Sequence, residues 1–433
     1  MRIGIIGTGI SGNLVARLLC QEHDIDVFEA ARCPGGHTRT LDVITFDRQW
    51  RVDTGFMVYN EQTYPNFCRL LQLLAVSGRD TDMSFSVRCA QSGLEYQGSS
   101  LNGLCAQRRN LLRPDFLRML ADILRFNREA DGLLESDLQD TPLGALLAKR
   151  AYGSWFIDKY LVPMASAIWS CPPGQLLDFP AHFLLAFLRN HGLLQVRGRP
   201  QWKTVVGSAR RYLERLTAPF RDRIRTECAV AAVRRHRDHV VVEPRNAPAE
   251  IFDHVVLACH ADQALAVLED ADETEISSLK AFPYQANMAV LHTDTTILPR
   301  RRRAWASWNY HIPCSGDNAV AVTYDLSRLQ GLDTPSPILL TLNSGDRIEP
   351  SRVLDRFVFH HPVFTSKSLN AQDQLRRRNG RRRTFFCGAY HGYGFHEDGV
   401  NSALDVTQHF GLGLDQWKAA STKASFATSG WSR

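Results

Sequence analysis

The sequence predicts an α/β fold, a parallel sheet flanked by helices, with an α+β insertion between its halves. Three observations predict it. The first thirty residues alternate a short apolar strand, a glycine turn, a helix and a second strand. Another strand runs into a glycine turn near residue 388, ahead of a further helix. Between the two, a chain of 433 residues with 44% apolar side chains exceeds one minimal sheet domain and can bury a second core.

Met1 to Gly7 is a short apolar run of the kind that forms a buried strand. Gly7-Thr8-Gly9-Ile10-Ser11-Gly12 then opens a helix with Leu14, Val15, Leu18 and Leu19 on one face. Ile25 to Phe28 is the next strand, and it ends in Glu29. Strand, glycine turn, helix, strand and acid in that order form the βαβ fingerprint of a Rossmann-like dinucleotide site. Gly7 permits the tight turn, Gly9 lets a pyrophosphate approach the backbone, and Gly12 lets the helix pack on the strand. Ile10 and Ser11 begin the helix whose N-terminus faces the phosphates. Glu29 is placed to bind the adenosine ribose, and an acid there disfavours the 2′-phosphate of NADP.

The stretch after Glu29 chooses between NAD and FAD. Ala30-Ala31-Arg32-Cys33-Pro34-Gly35-Gly36-His37-Thr38-Arg39-Thr40 carries a second glycine pair, hence a second close backbone approach, which an NAD site does not need. Here the chain resembles the flavin amine oxidase superfamily, whose pattern is Arg-x-x-Gly-Gly-Arg-x-x-Thr. Arg32, Gly35, Gly36 and Thr40 match, and His37 stands where that family often has arginine. The resemblance implies an FAD-binding domain of amine oxidase type with an inserted α+β substrate domain, and FAD as cofactor. Ala30, Arg32, Gly36, His37 and Thr38 are implied on the cofactor side, with Gly55 and Phe56 further on and Val230 against the adenine. At the other end, Thr384 to Ala389 reads as a strand into Gly388. The helix starting near Val400 is implied to meet the flavin pyrimidine edge, with Asp398, Gly399 and Val400 at its start. No cysteine or histidine stands in an obvious flavin-linking motif, so noncovalent FAD is expected.

Longer stretches narrow the resemblance. Asp53 to Asn60, Asp82 to Val87, Ala167 to Pro172, Arg189-Asn190-His191, Gly198 to Trp202, Trp305 to Asn309 and Phe386 to Gly399 are similar to the flavoprotein-like N-terminal half of plant cyclopropane-fatty-acid synthases and their stand-alone bacterial relatives. That resemblance implies oxidation or desaturation of methyl-branched or modified unsaturated acyl chains of phospholipids, beside a lipid methyltransferase partner. The methyltransferase half of the plant proteins does not occur within these 433 residues.

Composition sets the outer bounds. A net charge of +6 and a pI near 8.8 mildly favour anionic partners. Ten cysteines without a CxxC pair suggest buried thiols in a reducing cytoplasm, and no clustered ligands suggest a metal. Met1 leads straight into the first strand, so no signal peptide is expected. No apolar run approaches the roughly 18 residues of a spanning helix. A cytoplasmic protein, soluble or at the inner face of the membrane, is expected.

Along the chain, 1–60 reads as the first part of the FAD domain and 61–195 as a mainly helical substrate or lid region. Pro114 to Leu124 has helical periodicity. Thr141 reads as the N-cap of a helix through Arg150, with Pro142 at its first position. Residues 196–281 return to the FAD domain, with a helix at Ala209 to Leu216 and strands at Ile224 to Val233, Val240 to Glu243 and Asp253 to Cys259. Residues 282–362 read as a substrate-domain sheet, with strands at Asn287 to His292, Ala319 to Tyr324 and Ile338 to Leu342. Residues 363–414 close the FAD domain, and 415–433 reads as a disordered tail.

Flavin carries the redox step, and the protein supplies position, dryness and proton handling. His396 and Glu397, just before the last helix, are the candidate catalytic groups; the alternative is that they orient the glycine-rich turn. Tyr324, Trp308, Asn309 and Tyr393 are the substrate-side candidates. Their aromatic faces suit an amine as well as an acyl tunnel, so a flavin amine oxidase acting on a small hydrophobic amine stays open. So does a non-catalytic flavoprotein partner of a lipid methyltransferase. Arg300–Arg303, Arg376–Arg378 and Arg381–Arg383 read as contacts to anionic phospholipid headgroups or as a solvated face. No base-reading motif accompanies them, so nucleic acid is not expected.

Overall fold

The computed structural model describes residues 1–136, 138, 141–195, 198–314 and 321–418. Its opening follows the periodicity of the sequence: strand β1 (Arg2–Ile6), helix α1 (Ile10–Leu19) and strand β2 (Asp24–Phe28). Helix α2 (Pro65–Leu73) comes next, with proline at its first turn, where the missing N–H costs nothing. Strands β3 (Ile224–Arg225), β4 (His254–Leu257) and β5 (Thr384–Phe386) and the last long helix, α3 (His396–Gln408), complete the unit. The five strands form one parallel sheet in the order β3-β2-β1-β4-β5. Ile3 pairs with Ile25 and Ile5 with Val27, and the sheet is covered on both faces, as an all-parallel sheet requires. On one face, Leu14, Val15, Leu18 and Leu19 of α1 are fully buried with Val400, Ala403 and Val406 of α3.

The inserted domain is built on seven strands in the order 353–362, 284–292, 339–342, 322–325, 308–312, 85–89, 95–97. Neighbours are antiparallel except Trp308–Ile312 beside Phe85–Cys89. The last two strands come from the region expected to be mainly helical. Phe85–Cys89 alternates apolar and polar residues, but over five positions only, and its pairing partner lies more than two hundred residues away. Helices Pro114–Glu135, Val162–Trp169 and Ala181–Asn190 cover one face of this sheet and bury Phe116, Phe156, Leu184 and Leu188 in its core.

Boundaries shift where backbone chemistry overrides pattern. The helix after Thr141 runs Leu143–Lys149 with Pro142 as its N-cap, because the Thr141 carbonyl accepts Ala181 N–H and the Leu143 amide donates to Phe179. The expected strand Ile224 to Val233 breaks at Glu227, which adopts φ 55°, and resumes at Val230. The expected strand from Ala319 is seen as Val322–Asp325; residues 319 and 320 lie outside the described residues. The expected disordered tail needs correction at its start: Leu414–Gln416 form a helical turn, and Arg17 stacks on Trp417 at 4.1 Å. Residues 419–433 lie outside the described residues. Among the described residues no helix is long and apolar enough to cross a membrane.

Candidate active site

Three glycines shape the start of the site, each for a different reason. Gly7 has φ +105°, and a Cβ there would lie 2.7 Å from the Ala258 carbonyl oxygen. A Cβ on Gly12 would lie 2.1 Å from the Gly7 carbonyl oxygen, so α1 reaches β1 only because Gly12 has none. A Cβ on Gly9 would meet nothing within 4 Å. The protein leaves that space open at the N-terminus of α1, whose N-cap, Gly9, offers its amides no side-chain acceptor. A ligand anion fits that combination of free donors and helix dipole.

The second glycine pair closes on the first. A Cβ on Gly36, at φ +56°, would lie 3.2 Å from the Gly9 Cα. Thr8 links the two turns: its hydroxyl accepts the Gly35 N–H at 3.0 Å and donates to Glu29 Oε2. The other oxygen of Glu29 accepts the Ala31 N–H at 2.8 Å. Beside Glu29, Cys228, Ala229, Val230 and Arg245 form the wall where an adenine would lie.

From here a cleft of about 730 Å³ runs into the inserted domain. Of the residues expected at the cofactor, Gly7, Gly9, Ile10, Ser11, Glu29, Ala30, Gly36, His37, Gly55, Phe56, Val230 and Gly388 line it. On the substrate side Trp308, Tyr324 and Tyr393 line it. Trp308 and Tyr324 meet edge to face at 4.9 Å, and the Trp308 indole N–H is buried without a hydrogen-bond partner. Tyr393 packs on Phe183 at 4.9 Å, and its carbonyl accepts the Trp169 indole N–H.

Other expected residues sit elsewhere. Arg32 is exposed outside the cleft. Thr38 is buried, its hydroxyl 2.6 Å from Tyr212 Oη and 3.2 Å from His396 Nε2. Asp398 caps its own helix, accepting the Phe395 N–H at 2.8 Å; burial pushes its carboxyl up to about 7. Gly399 serves packing: a Cβ there would lie 2.7 Å from Ile10 Cγ2, and Val400 is buried between α1 and α3. Asn309 does not face substrate, because its amide is engaged by Ser86, Ala306 and Thr323.

The two candidate catalytic residues separate. His396 lines the cleft, stacked on Phe56 at 3.7 Å, with Nε2 2.8 Å from the Tyr212 hydroxyl. Burial lowers its pKa to about 3, which makes it a fixed neutral ring and a poor base. Glu397 points away, and this corrects the expectation for it. Its carboxylate accepts the Asn66 N–H at 3.0 Å and the Phe67 N–H at 2.8 Å, so it caps α2.

A group of imidazoles had no counterpart among the expected substrate residues. His37 meets His260 and His361 with ring centroids 6.0 and 5.5 Å away, beside His360, and Tyr284 stacks on His260 at 4.4 Å. Burial, followed by the neighbouring imidazoles, lowers His37 and His260 to about 4 and His361 to about 3. His260 follows β4 at the carboxyl edge of the parallel sheet, where ligands bind in such folds; that position was the available signal. Among the described residues no three His, Cys, Asp or Glu side chains are arranged to hold a metal ion. Ser170, also in the cleft, adopts φ 51°, a left-handed strain of the kind that collects at functional sites.

The open space at Gly9, the uncapped helix and the ribose-side carboxylate fit FAD. The family model of the flavin-containing amine oxidoreductases matches residues 10–300. Among curated proteins none matches. Three solved structures share the fold across nearly the whole chain. A CLA-producing fatty acid isomerase from P. acnes is 16% identical, with TM-score 0.66 over 94% of this chain and 98% of that one. Cyclohexylamine oxidase from Brevibacterium oxydans IH-35A is 15% identical, with TM-score 0.68 over 95% and 99%. A putrescine oxidase bound to putrescine is 13% identical, with TM-score 0.67 over 95% and 99%.

Proposed function

The chain belongs to the flavin-containing amine oxidoreductase family and is an FAD-dependent oxidoreductase; on that premise, we propose that its substrate is a methyl-branched or otherwise modified unsaturated fatty acyl chain. One observation carries the reading. Of the described residues lining the cleft, Glu29 is the only carboxylate, and it lies at the nucleotide end, held by Thr8 and Ala31. The inner part is walled by Met57, Met83, Ile168, Leu340, Leu342 and Phe364, with Trp308 and Tyr324 among them. An ammonium placed there would meet aromatic faces but no counter-ion among the described lining residues. Each methylene placed there gains about 0.8 kcal/mol. The similarity of several sequence stretches to cyclopropane-fatty-acid synthases supports the same choice, as does a shared fold with a fatty acid isomerase.

Bound FAD supplies a two-electron acceptor. The protein's part is to exclude water and to take the proton released as the chain loses hydride and proton together. Glu397 is turned away and the His396 Nε2 is engaged, which leaves the imidazoles of His260 and His361, beside Tyr284 and Phe359; burial makes these weak bases too, so they can relay the proton onward but not hold it. Phospholipids from cells making the protein should lose two hydrogens per modified chain by mass spectrometry. Trp308→Ala should raise the lipid concentration needed for half-maximal rate roughly tenfold or more while leaving FAD bound. An unchanged lipid profile, with peroxide released from amines, would move the substrate to the amine class. A stable complex with a lipid methyltransferase, without flavin reduction by any lipid, would make the protein its accessory.

A further inference from the structure

We propose that the far tip of the inserted domain, formed by Leu101–Leu112 and Arg300–Arg303, docks on an anionic phospholipid surface. Both segments are fixed on the strand Glu95–Gln97. The buried Glu95 carboxylate accepts the backbone N–H groups of Arg300 and Arg301 at 2.9 and 3.1 Å, and its carbonyl accepts the Asn110 side chain. One patch therefore presents Leu101 and Leu112, which are 82% and 86% exposed, with Leu111 and Leu117 about half as exposed. Single exposed leucines are ordinary, but four of them gathered in one patch mark an interaction surface.

The same patch carries Arg108, Arg109, Arg113 and Arg300 to Arg303. No acid occurs between Ser99 and Pro114 or between Pro299 and Trp305. Among the described residues none of these seven guanidiniums forms a salt bridge. Arg109 and Arg113 reach only carbonyls, and Arg302 lies over Trp305. The other arginine cluster is different. Arg376 pairs with Asp373 and Asp405, Arg378 with Asp272, and Arg382 with Asp270. Charge at the tip is thus free to act outward. Apolar side chains interleaved with cations match the headgroup boundary of an anionic bilayer, where leucines enter the acyl edge and arginines meet phosphates. Nucleic acid would leave the leucines without partners.

The surface would bring an acyl substrate to the enzyme, but it is tested without turnover. FAD-loaded protein is sedimented with vesicles of phosphatidylcholine alone or mixed with phosphatidylglycerol, at low and high salt. Binding to the anionic vesicles, weakened by salt, is expected. Replacing all four of Arg300→Gln to Arg303→Gln should reduce partitioning by roughly fivefold per residue. The charge-neutral pair Leu111→Ser and Leu112→Ser should reduce it by roughly tenfold or more. The control pair Arg377→Gln and Arg381→Gln should change it little. Wild-type protein that ignores anionic vesicles, a serine pair that binds like wild type, or a control pair that loses as much as the tip variant would overturn the proposal. Retained flavin absorbance shows that each variant is folded.

Discussion

Gly9 and Gly12 stand three residues apart and do different work, and the difference can be measured. A Cβ on Gly9 meets no protein atom, whereas one on Gly12 would press on the backbone oxygen of Gly7. Gly9→Val should therefore fold with a near-normal melting temperature and fail to retain FAD, read by absorbance and by flavin fluorescence in a binding titration. Gly12→Ala should cost stability, about 3 kcal/mol or more, because backbone cannot yield as a side chain can. Both roles were legible in the spacing of the motif. Glu397 was not. A carboxylate in the first turn of a helix reads equally as a base or as a group that orients the turn, and its partners, Asn66 and Phe67, lie more than three hundred residues away in sequence. Glu397→Ala should destabilise the protein by about 1–3 kcal/mol, because two helix amides lose their acceptor. The rate of reduction per bound flavin should hold, as measured by stopped-flow on protein matched for FAD content.

At the scale of elements, the histidine group contributes to the response to pH, together with His191, His292, His311 and His391, which burial also lowers to about 3 to 4. His37, His260, His361 and His396 have folded pKa values of about 3 to 4, against 6.5 for an unhindered histidine. The unfolded chain binds the extra protons, so the stability these groups contribute is present above pH 6.5 and is lost as pH falls toward 4. Asp53 and Asp398, both raised to about 7, act with the opposite sign: the native state holds their protons, which adds stability as pH falls from 7 toward 4. Four imidazoles outweigh two carboxyls, and each group contributes a slope of up to about 1.4 kcal/mol per pH unit. The melting temperature of the apoprotein should fall by several degrees between about pH 7 and pH 5. A flat profile would contradict neutral burial of the group. Single residues of this kind are hard to read from sequence. His37 was marked by its place in the glycine motif, but His260, His360 and His361 become a group only when strand 353–362 is laid over the parallel sheet.

Over the whole molecule, the FAD half was legible because its signal is local: strand, turn, helix, strand and acid follow within thirty residues. The inserted domain's sheet was legible in its strands within 282–362 but not in its full extent, since Phe85–Cys89 joins it by a parallel pairing with Trp308–Ile312 that no local pattern announces. What the sequence could not display was the cleft's polarity, the absence of any acid among the described residues of its inner wall, and the choice of substrate turns on that. The direct test is anaerobic. The purified protein with its flavin oxidised is mixed with a methyl-branched unsaturated phospholipid and, separately, with a hydrophobic amine, while the visible spectrum is followed. Bleaching by the lipid and not by the amine is the predicted result. Bleaching by the amine, with the flavin left oxidised in lipid, would contradict an acyl-chain substrate.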